Sequence, residues 1–333
     1  MRAFVLDGYG AIADHVRLAE IADPVPGPDD VLIEIHAASL NPIDFKLVRG
    51  DLKRVSKYQL PRPFGFDAAG IVLSAGARAI RFKPGDAVYA RASRETIGTF
   101  AEKIALPQEF VALKPAAISH AEAAALPLVG LTTLQGFARV KAQAGQRILI
   151  HAGAGGIGTF AIQYARHLGL DVTTTTSSKN VDFVKSLGAD RVIAYDRGNY
   201  LEQGGDYDIV YDTLGGAFTV DAFKVVRRGG AVISLSGPPD RDFARREGAG
   251  WLVRVAVWLM SRKVYAASAE AGATYCWFFT EPNGDQLREI AGLVDGGAIK
   301  PVIDREFAFD QLPAALSYLE AGRARGKVVL RVK

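Results

Sequence analysis

The chain has 333 residues, 49% of them apolar and 23% charged. That is a globular composition, and too long for one ordinary core, so two domains are expected. The formal net charge of +4 comes without a Lys/Arg block, so no nucleic acid is expected as a partner; the most apolar run, "WLVRVAVWLM" (251–260), is too short to span a bilayer and carries Arg254, so no membrane is expected either. A single cysteine, Cys276, excludes an internal disulfide and any multi-cysteine metal cluster, and fits a reducing cytoplasm.

The opening "MRAFVLDGYG" lacks a long apolar core and reads as a strand rather than a signal peptide. Pro24, Pro26, Gly27 and Pro28 form a turn cluster. "VLIEIHAAS" (31–39) alternates, with Val31, Ile33 and Ile35 on one face and Glu34 and His36 on the other. "DAAGIVLSAG" and "GDAVYA" are short strands bounded by glycine. The first part is therefore expected to be a compact, mostly β domain.

Near residue 120 the pattern changes. "HAEAAALPLVGLTTLQGFARV" reads as two helical pieces broken at Pro127. Strands and helices then alternate: "QRILIHA", "DVTTTT", "DRVIAY", "YDIVYDT", "GAVISLS" and "TYCWFF" as strands, "GTFAIQYARHLG" and "NVDFVKSLG" as helices. This alternation predicts a doubly wound parallel sheet. The stretch 241–263 is an amphipathic candidate with basic flanks, whose Trp251 and Trp258 are expected at a substrate mouth or a dimer contact if it is not simply a core helix. After Phe279 come a helix, a strand, a second helix and a closing strand, "KVVLRVK", which is expected to return to the first domain. The division is thus 1–125 plus 280–333 for one domain and 126–279 for a cofactor domain inserted into it.

"GAGGIG" fits G-x-G-x-x-G with Gly153, Gly155 and Gly158. A strand precedes it and a helix follows, which is the context a dinucleotide turn requires. The first glycine allows the tight turn, the second lets backbone approach a pyrophosphate, and the third lets the helix pack on the strand. N–H groups at the helix start, through Gly156 and Ile157, then meet the phosphates. About twenty residues on, where an NAD site carries a carboxylate, stand Ser177, Ser178 and Lys179. Asp171 opens that strand, about 20 Å from its far end, and cannot substitute. Hydroxyls and a lysine remove the repulsion of a 2′-phosphate and add donors, so NADP(H) is the expected cofactor. Ser177 or Ser178 can also cap the next helix.

"HAGAGGIGTFAIQYAR", "SLNPIDFKLVRG", "PFGFDAAGIV", "LGADRVIAY" and "GKVVL" together resemble the medium-chain dehydrogenase/reductase superfamily, over nearly the whole chain. Within it the chain is most similar to zinc-independent quinone oxidoreductases and NADPH-dependent enone and alkenal reductases. The resemblance implies an α/β fold, a Rossmann doubly wound parallel sheet inserted in a GroES-like, mostly β catalytic domain, and usually a homodimer; the location expected from the lone cysteine is cytoplasmic. Asn41 stands where the zinc enzymes carry a cysteine, and Gly65-Phe66-Asp67 where they carry Gly-His-Glu. The five histidines (15, 36, 120, 151, 167) show no ligand spacing, so no metal is expected.

The expected reaction is hydride transfer from NADPH to a quinone or to the C=C bond of an α,β-unsaturated carbonyl. Lys46 is the candidate to stabilise the oxyanion or relay a proton, and Asp44 to act beside it or orient its loop. Asn41, Thr132, Tyr195, Leu214, Leu235 and Ser236 are expected at the cofactor, the threonine near the nicotinamide and the tyrosine beside the 2′-phosphate. Asp67 is expected to hold loops, and His151 to end a strand without acting as a catalyst. Two other readings stand beside this one. One is a metal-free alcohol or carbonyl dehydrogenase. The other is a non-catalytic relative: an NADPH sensor, or an RNA-binding or structural protein.

Overall fold

In the computed structural model, described for residues 1–53, 58–241, 243–246, 248 and 250–333, the alternation in "VLIEIHAAS" becomes the spine of the first unit. Strand β3 (Asp30–Leu40) follows β1 (Arg2–Leu6), α1 (Ile12–His15) and β2 (Val16–Glu20). Val31, Ile33 and Ile35 are buried, while Glu34 and His36 are half-exposed. Helix α2 (Pro42–Arg49) leaves β3 directly, and then come β4 (Arg62–Pro63), β5 (Asp67–Ala75), β6 (Ala87–Arg91), β7 (Lys103–Pro107) and β8 (Val111–Leu113). The chain breaks at Pro127 as expected, into α3 (His120–Ala124) and α4 (Pro127–Arg139). Ser119 caps α3 by accepting from the Glu122 N–H, and Glu122 accepts in turn from the Ser119 N–H.

The second unit opens on β9 (Arg147–Ile150), α5 (Gly156–His167), β10 (Asp171–Thr176), α6 (Val181–Ser186), β11 (Arg191–Ala194) and β12 (Tyr207–Asp212). It continues through α7 (Ala217–Asp221), β13 (Val226–Ser234), α8 (Phe243–Arg246), α9 (Trp251–Ala271) and β14 (Thr274–Cys276). Its six strands stand in the order β11-β10-β9-β12-β13-β14, all pairs parallel. The direction of winding reverses between β9 and β12, the switch point at which such sheets bind ligands. Gly158 to Ala165 of α5 are all buried, so this stretch of the helix is enclosed on every side.

The last segment holds α10 (Gly284–Asp295), β15 (Ile303–Ala308), α11 (Leu312–Glu320) and β16 (Lys327–Arg331). β16 pairs antiparallel with β3, Val328 opposite Leu40, so the closing strand does return to the first sheet. That sheet runs β15-β16-β3-β5-β6-β8, with β7 also on β3, beside a small β2-β1-β4 sheet. The compact units are Met1–Leu131 with Glu281–Lys333, and Thr132–Thr280, so the first boundary falls inside α4. Among the described residues no helix is long and apolar enough to cross a membrane. The amphipathic expectation for 241–263 falls partly on 242, 247 and 249, which lie outside the described residues; the rest of it is α8 and the first half of α9.

Candidate functional site

The glycine turn joins β9 to α5, and its geometry separates the three glycines. A Cβ on Gly153 would stand 2.1 Å from Thr174 Oγ1, and one on Gly158 would stand 2.4 Å from the Ala152 carbonyl oxygen and 2.6 Å from Gly153 Cα. Both positions are closed to any side chain by the protein's own packing. A Cβ on Gly155 would meet only the Ala152 oxygen, at 3.3 Å, and, its chain neighbours aside, no other protein atom within 4 Å. Gly155 caps α5 without a side-chain acceptor, and Gly156 and Ile157 are half-buried in its first turn. The leading N–H groups of a helix have no acceptor within it. The turn therefore fits an anionic diphosphate at Gly155–Ile157.

The threonines of β10 hold this turn. Thr174 Oγ1 donates to the Ile150 carbonyl at 2.7 Å, and Thr175 Oγ1 accepts from the Ala152 N–H at 3.1 Å and lies 3.2 Å from His151 Nδ1. Thr173 through Thr176 are all buried. Ala152 is thereby kept at φ 54°, a left-handed conformation that costs an L-residue roughly 1–2 kcal/mol. The run that reads as a β-branched strand is also a set of buried hydroxyls that fixes the cofactor turn.

The far end of β10 requires a correction. From sequence, this end lacks a carboxylate. The structure brings one in: Asp196 accepts from the Ser178 N–H at 2.8 Å and from Ser178 Oγ at 2.7 Å. β11 lies parallel beside β10 with Thr176 opposite Ala194, so residues two past each strand end become neighbours. The two Ser178 hydrogen bonds hold the Asp196 carboxyl below its ordinary range. Ser177 is buried and accepts from Asn180 Nδ2 at 3.3 Å, and Lys179 is exposed. Tyr195 is exposed too, its N–H bonded to the Thr176 carbonyl. The site thus carries hydroxyls, a cation and one anion together.

At the switch point, Asp212 closes β12. Its Oδ1 accepts from the N–H groups of Leu214 and Gly215, each at 2.9 Å, and its Oδ2 from Thr219 Oγ1 at 2.5 Å and Ser234 Oγ at 2.7 Å. Sequence reasoning missed it; the Asp followed by a Thr-Leu-Gly-Gly turn was the available signal. Leu214 is exposed, Leu235 half-exposed, and Ser236 exposed with its Oγ 3.3 Å from the Thr213 carbonyl. His151 is fully buried against the Tyr200 and Phe218 rings, with Nε2 lacking a hydrogen-bond partner. Burial pushes its pKa down to about 4, so it is a neutral strand-end residue at neutral pH. Thr132 is buried, its Oγ1 2.7 Å from Thr280 Oγ1.

In the first unit the start of α2 is built around a buried polar cluster. Asn41 caps the helix, Pro42 occupies the first turn, and the Asn41 N–H donates to Asp44 Oδ2 at 2.6 Å. Asp44 is fully buried and its Oδ1 has no partner. Burial raises its pKa to about 8. A sealed carboxyl cannot touch a substrate, so Asp44 holds the helix start and is removed from the catalytic candidates. Asn41 Nδ2 donates to Asp67 Oδ2 at 2.8 Å, and Asn41 Oδ1 accepts from Lys327 Nζ at 2.5 Å. Asp67 also accepts from Ser39 Oγ at 3.1 Å and from the Leu128 N–H at 3.0 Å, with Lys327 Nζ 3.5 Å away. Lys327, buried at the head of β16, additionally donates to the Leu40 carbonyl at 3.0 Å. Asn41, expected to face a cofactor, turns its amide into this cluster. Lys46, in the last turn of α2, is half-exposed.

The zinc enzymes that this sequence resembles carry metal ligands at the places of Asn41 and Phe66-Asp67, and the residues here do not fit a metal. Asn41 and Asp67, at the positions that resemble zinc-ligand sites, are bonded to each other and to an ammonium, which repels a dication. Among the described residues no group of three or more His, Cys, Asp or Glu side chains is placed to hold a metal.

Comparison with known proteins gives two family matches: an alcohol dehydrogenase GroES-like domain over residues 27–116 and a zinc-binding dehydrogenase domain over residues 187–330. The chain is 35% identical to 2-methylene-furan-3-one reductase of Solanum lycopersicum, and 34% identical to the chloroplastic NADPH-dependent alkenal/one oxidoreductase of Arabidopsis thaliana. Each alignment covers 99% of this chain and 79% of the relative. The structure of the quinone oxidoreductase from Coxiella burnetii superposes with a TM-score of 0.86 at 29% identity, over 100% of this chain and 99% of that one.

Proposed function

The chain belongs to the medium-chain dehydrogenase/reductase superfamily, and from that premise we propose that it is a zinc-independent, NADPH-dependent reductase of quinones or of the C=C bond of α,β-unsaturated carbonyls. The observation that carries the reading is the Asn41–Asp67–Lys327 cluster. Alcohol oxidation by the metal route needs a Lewis acid to stabilise an alkoxide. Addition of hydride to an electron-poor carbon or a quinone does not, and a catalytic unit that places a lysine among those positions suits the second chemistry.

The cofactor, when bound, supplies the hydride. The chain's residues bind and orient it: the first turn of α5 takes the diphosphate, and Gly155 leaves room for that approach. Ser177, Lys179 and Tyr195 meet the 2′-phosphate, while Asp196 sets a limit on how much a phosphate gains over a bare ribose. Thr132, Leu214, Leu235 and Ser236 are assigned to the nicotinamide half. Lys46 Nζ is assigned to the carbonyl or quinone oxygen, where negative charge grows as hydride arrives, and the proton that completes the product comes from there or from water. Asp44 and Asn41 are positioning residues for α2. The enzyme is further assigned to the cytoplasm as a homodimer, its lone cysteine agreeing with a reducing compartment.

The test is NADPH oxidation against 2-alkenals, cyclic enones and quinones, with NADH as control. Turnover of one of these classes with a marked NADPH preference is expected. Tight NADPH binding with no turnover on any would favour the non-catalytic reading, and steady oxidation of simple alcohols with NADP⁺ the dehydrogenase reading.

A further inference from the structure

Helix α9 presents a surface that the reductase reading does not use. Its 21 residues extend about 30 Å. Val257, Ser261, Val264 and Ser268 are buried, at the i, i+4, i+7, i+11 spacing of one narrow face, and Tyr265, Ala267 and Ala271 pack half-buried beside them in the second half. Every other residue from Trp251 to Met260 is exposed, including Trp251 at 70%, Met260 at 63% and Trp258 at 51%. Leu252, Val255 and Leu259 lie among them. A contiguous apolar surface of this kind marks an interaction site rather than ordinary scatter.

From Trp251 to Ala269 the helix's own charges have one sign, Glu270 in its last turn being the exception. Arg254, Arg262 and Lys263 are exposed, and none of them is in an ion pair among the described residues. Arg262 and Lys263 follow Trp258 and Leu259 by four residues, on the same side of the helix. No Asp or Glu occurs from Trp251 to Ala269. The Arg241 guanidinium is fixed beside the helix, 4.1 Å from the Tyr265 ring centre. A second copy meeting the Trp251–Lys263 half of the helix about a two-fold axis would bring the same cations onto one seam with no carboxylate from that half to oppose them. A layer of lipid phosphates supplies the missing charge, and tryptophan and leucine side chains suit the headgroup–acyl boundary.

We propose that the solvent face of α9 docks on an anionic phospholipid bilayer, the apolar first half entering the interface and Arg262 and Lys263 meeting the headgroups. The helix lies on the surface and does not span it. This replaces the expectation, drawn from the shortness of the run 251–260 and its Arg254, that no membrane is a partner. It rests on α9 and not on the substrate assignment.

The experiment is flotation of the full chain with vesicles of phosphatidylcholine alone and of equimolar phosphatidylcholine and phosphatidylglycerol, with tryptophan emission read in parallel. Binding to the anionic vesicles only, a blue shift of emission, and release by salt are expected. Arg262→Gln with Lys263→Gln is expected to weaken partitioning roughly 30-fold, at about a factor of five per cation. Trp251→Ser with Trp258→Ser is expected to abolish flotation while the circular-dichroism melt stays that of the wild type. Failure of the wild type to float with either vesicle overturns the proposal, as does equal flotation with both. A dimer in sedimentation that the tryptophan pair variant converts to monomer also overturns it, because a second copy would then own the face.

Discussion

Gly153→Ala tests the packing that ties the threonine strand to the cofactor turn. The added methyl would stand 2.1 Å from Thr174 Oγ1 and 3.0 Å from Thr174 Cγ2. Thr174 cannot turn away cheaply: it is fully buried, β-branched, and its hydroxyl donates to Ile150 at 2.7 Å. Overpacking of this kind costs roughly 1–3 kcal/mol. Thr174→Ala alone loses one neutral hydrogen bond, about 1 kcal/mol, and the packing of a methyl group, about 1 kcal/mol more. In the double variant the new methyl enters the space that Thr174 vacates. The remaining contact, Ile162 Cδ1 at 3.1 Å, is the end of a flexible side chain. The double variant is therefore expected to be about 1–2 kcal/mol more stable than the sum of the singles predicts. All three tryptophans, 251, 258 and 277, lie in the Thr132–Thr280 unit, so urea unfolding followed by tryptophan emission reports on that unit. The KM for NADPH is expected to rise in Gly153→Ala and to recover in the double variant. Additivity within about 0.5 kcal/mol would refute the reasoning.

Three further outcomes follow from the same geometry. Lys179→Ala is expected to raise the KM for NADPH several-fold and leave that for NADH nearly unchanged, and Asp196→Asn to lower the KM for NADPH; equal effects on both cofactors would return the end of β10 to a solvated turn. Burial raises Asp44 to about 8 from 3.8, so the folded state keeps a proton that the unfolded chain releases. The contribution of Asp44 to stability is then fully present at acid pH and falls by about 1.4 kcal/mol per pH unit between about pH 4 and pH 8, and Asp44→Asn removes this component of the pH dependence of unfolding measured across that window. Lys327, lowered by burial beside Asp67 and Asp44, contributes the opposite slope at more alkaline pH. Lys327→Met removes the ammonium and leaves the Asp67 carboxylate buried without its cation. It is expected to destabilise the chain by about 3–5 kcal/mol, read as a fall in the thermal midpoint.

Much of this was legible in sequence because it is local. Period-two burial in β3, the Pro127 break, and the βαβ rhythm each depend on neighbours along the chain. The glycine turn was legible for the same reason, since strand, turn and helix are contiguous. What escaped notice depends on register between distant segments. Asp196 reaches Ser178 only because β11 pairs with β10 at Thr176 and Ala194. Lys327 reaches Asn41 only because β16 returns to β3 with Val328 beside Leu40. "GKVVL" was singled out for resemblance, yet a lysine at the head of an apolar strand reads as solvated until its partners, some 286 residues away, are known. Asp44 went the other way: a turn aspartate reads as available, and tertiary burial closes it.

The most direct test of the central claim uses NADPH deuterated at the transferring nicotinamide carbon, with a 2-alkenal or cyclic enone as acceptor and a quinone in parallel. The account predicts a product that keeps its carbonyl, loses the C=C bond and carries deuterium on the β-carbon, or a hydroquinone from the quinone, with NADH a much poorer donor. An allylic alcohol as product, or no transfer to any of these acceptors, would contradict it.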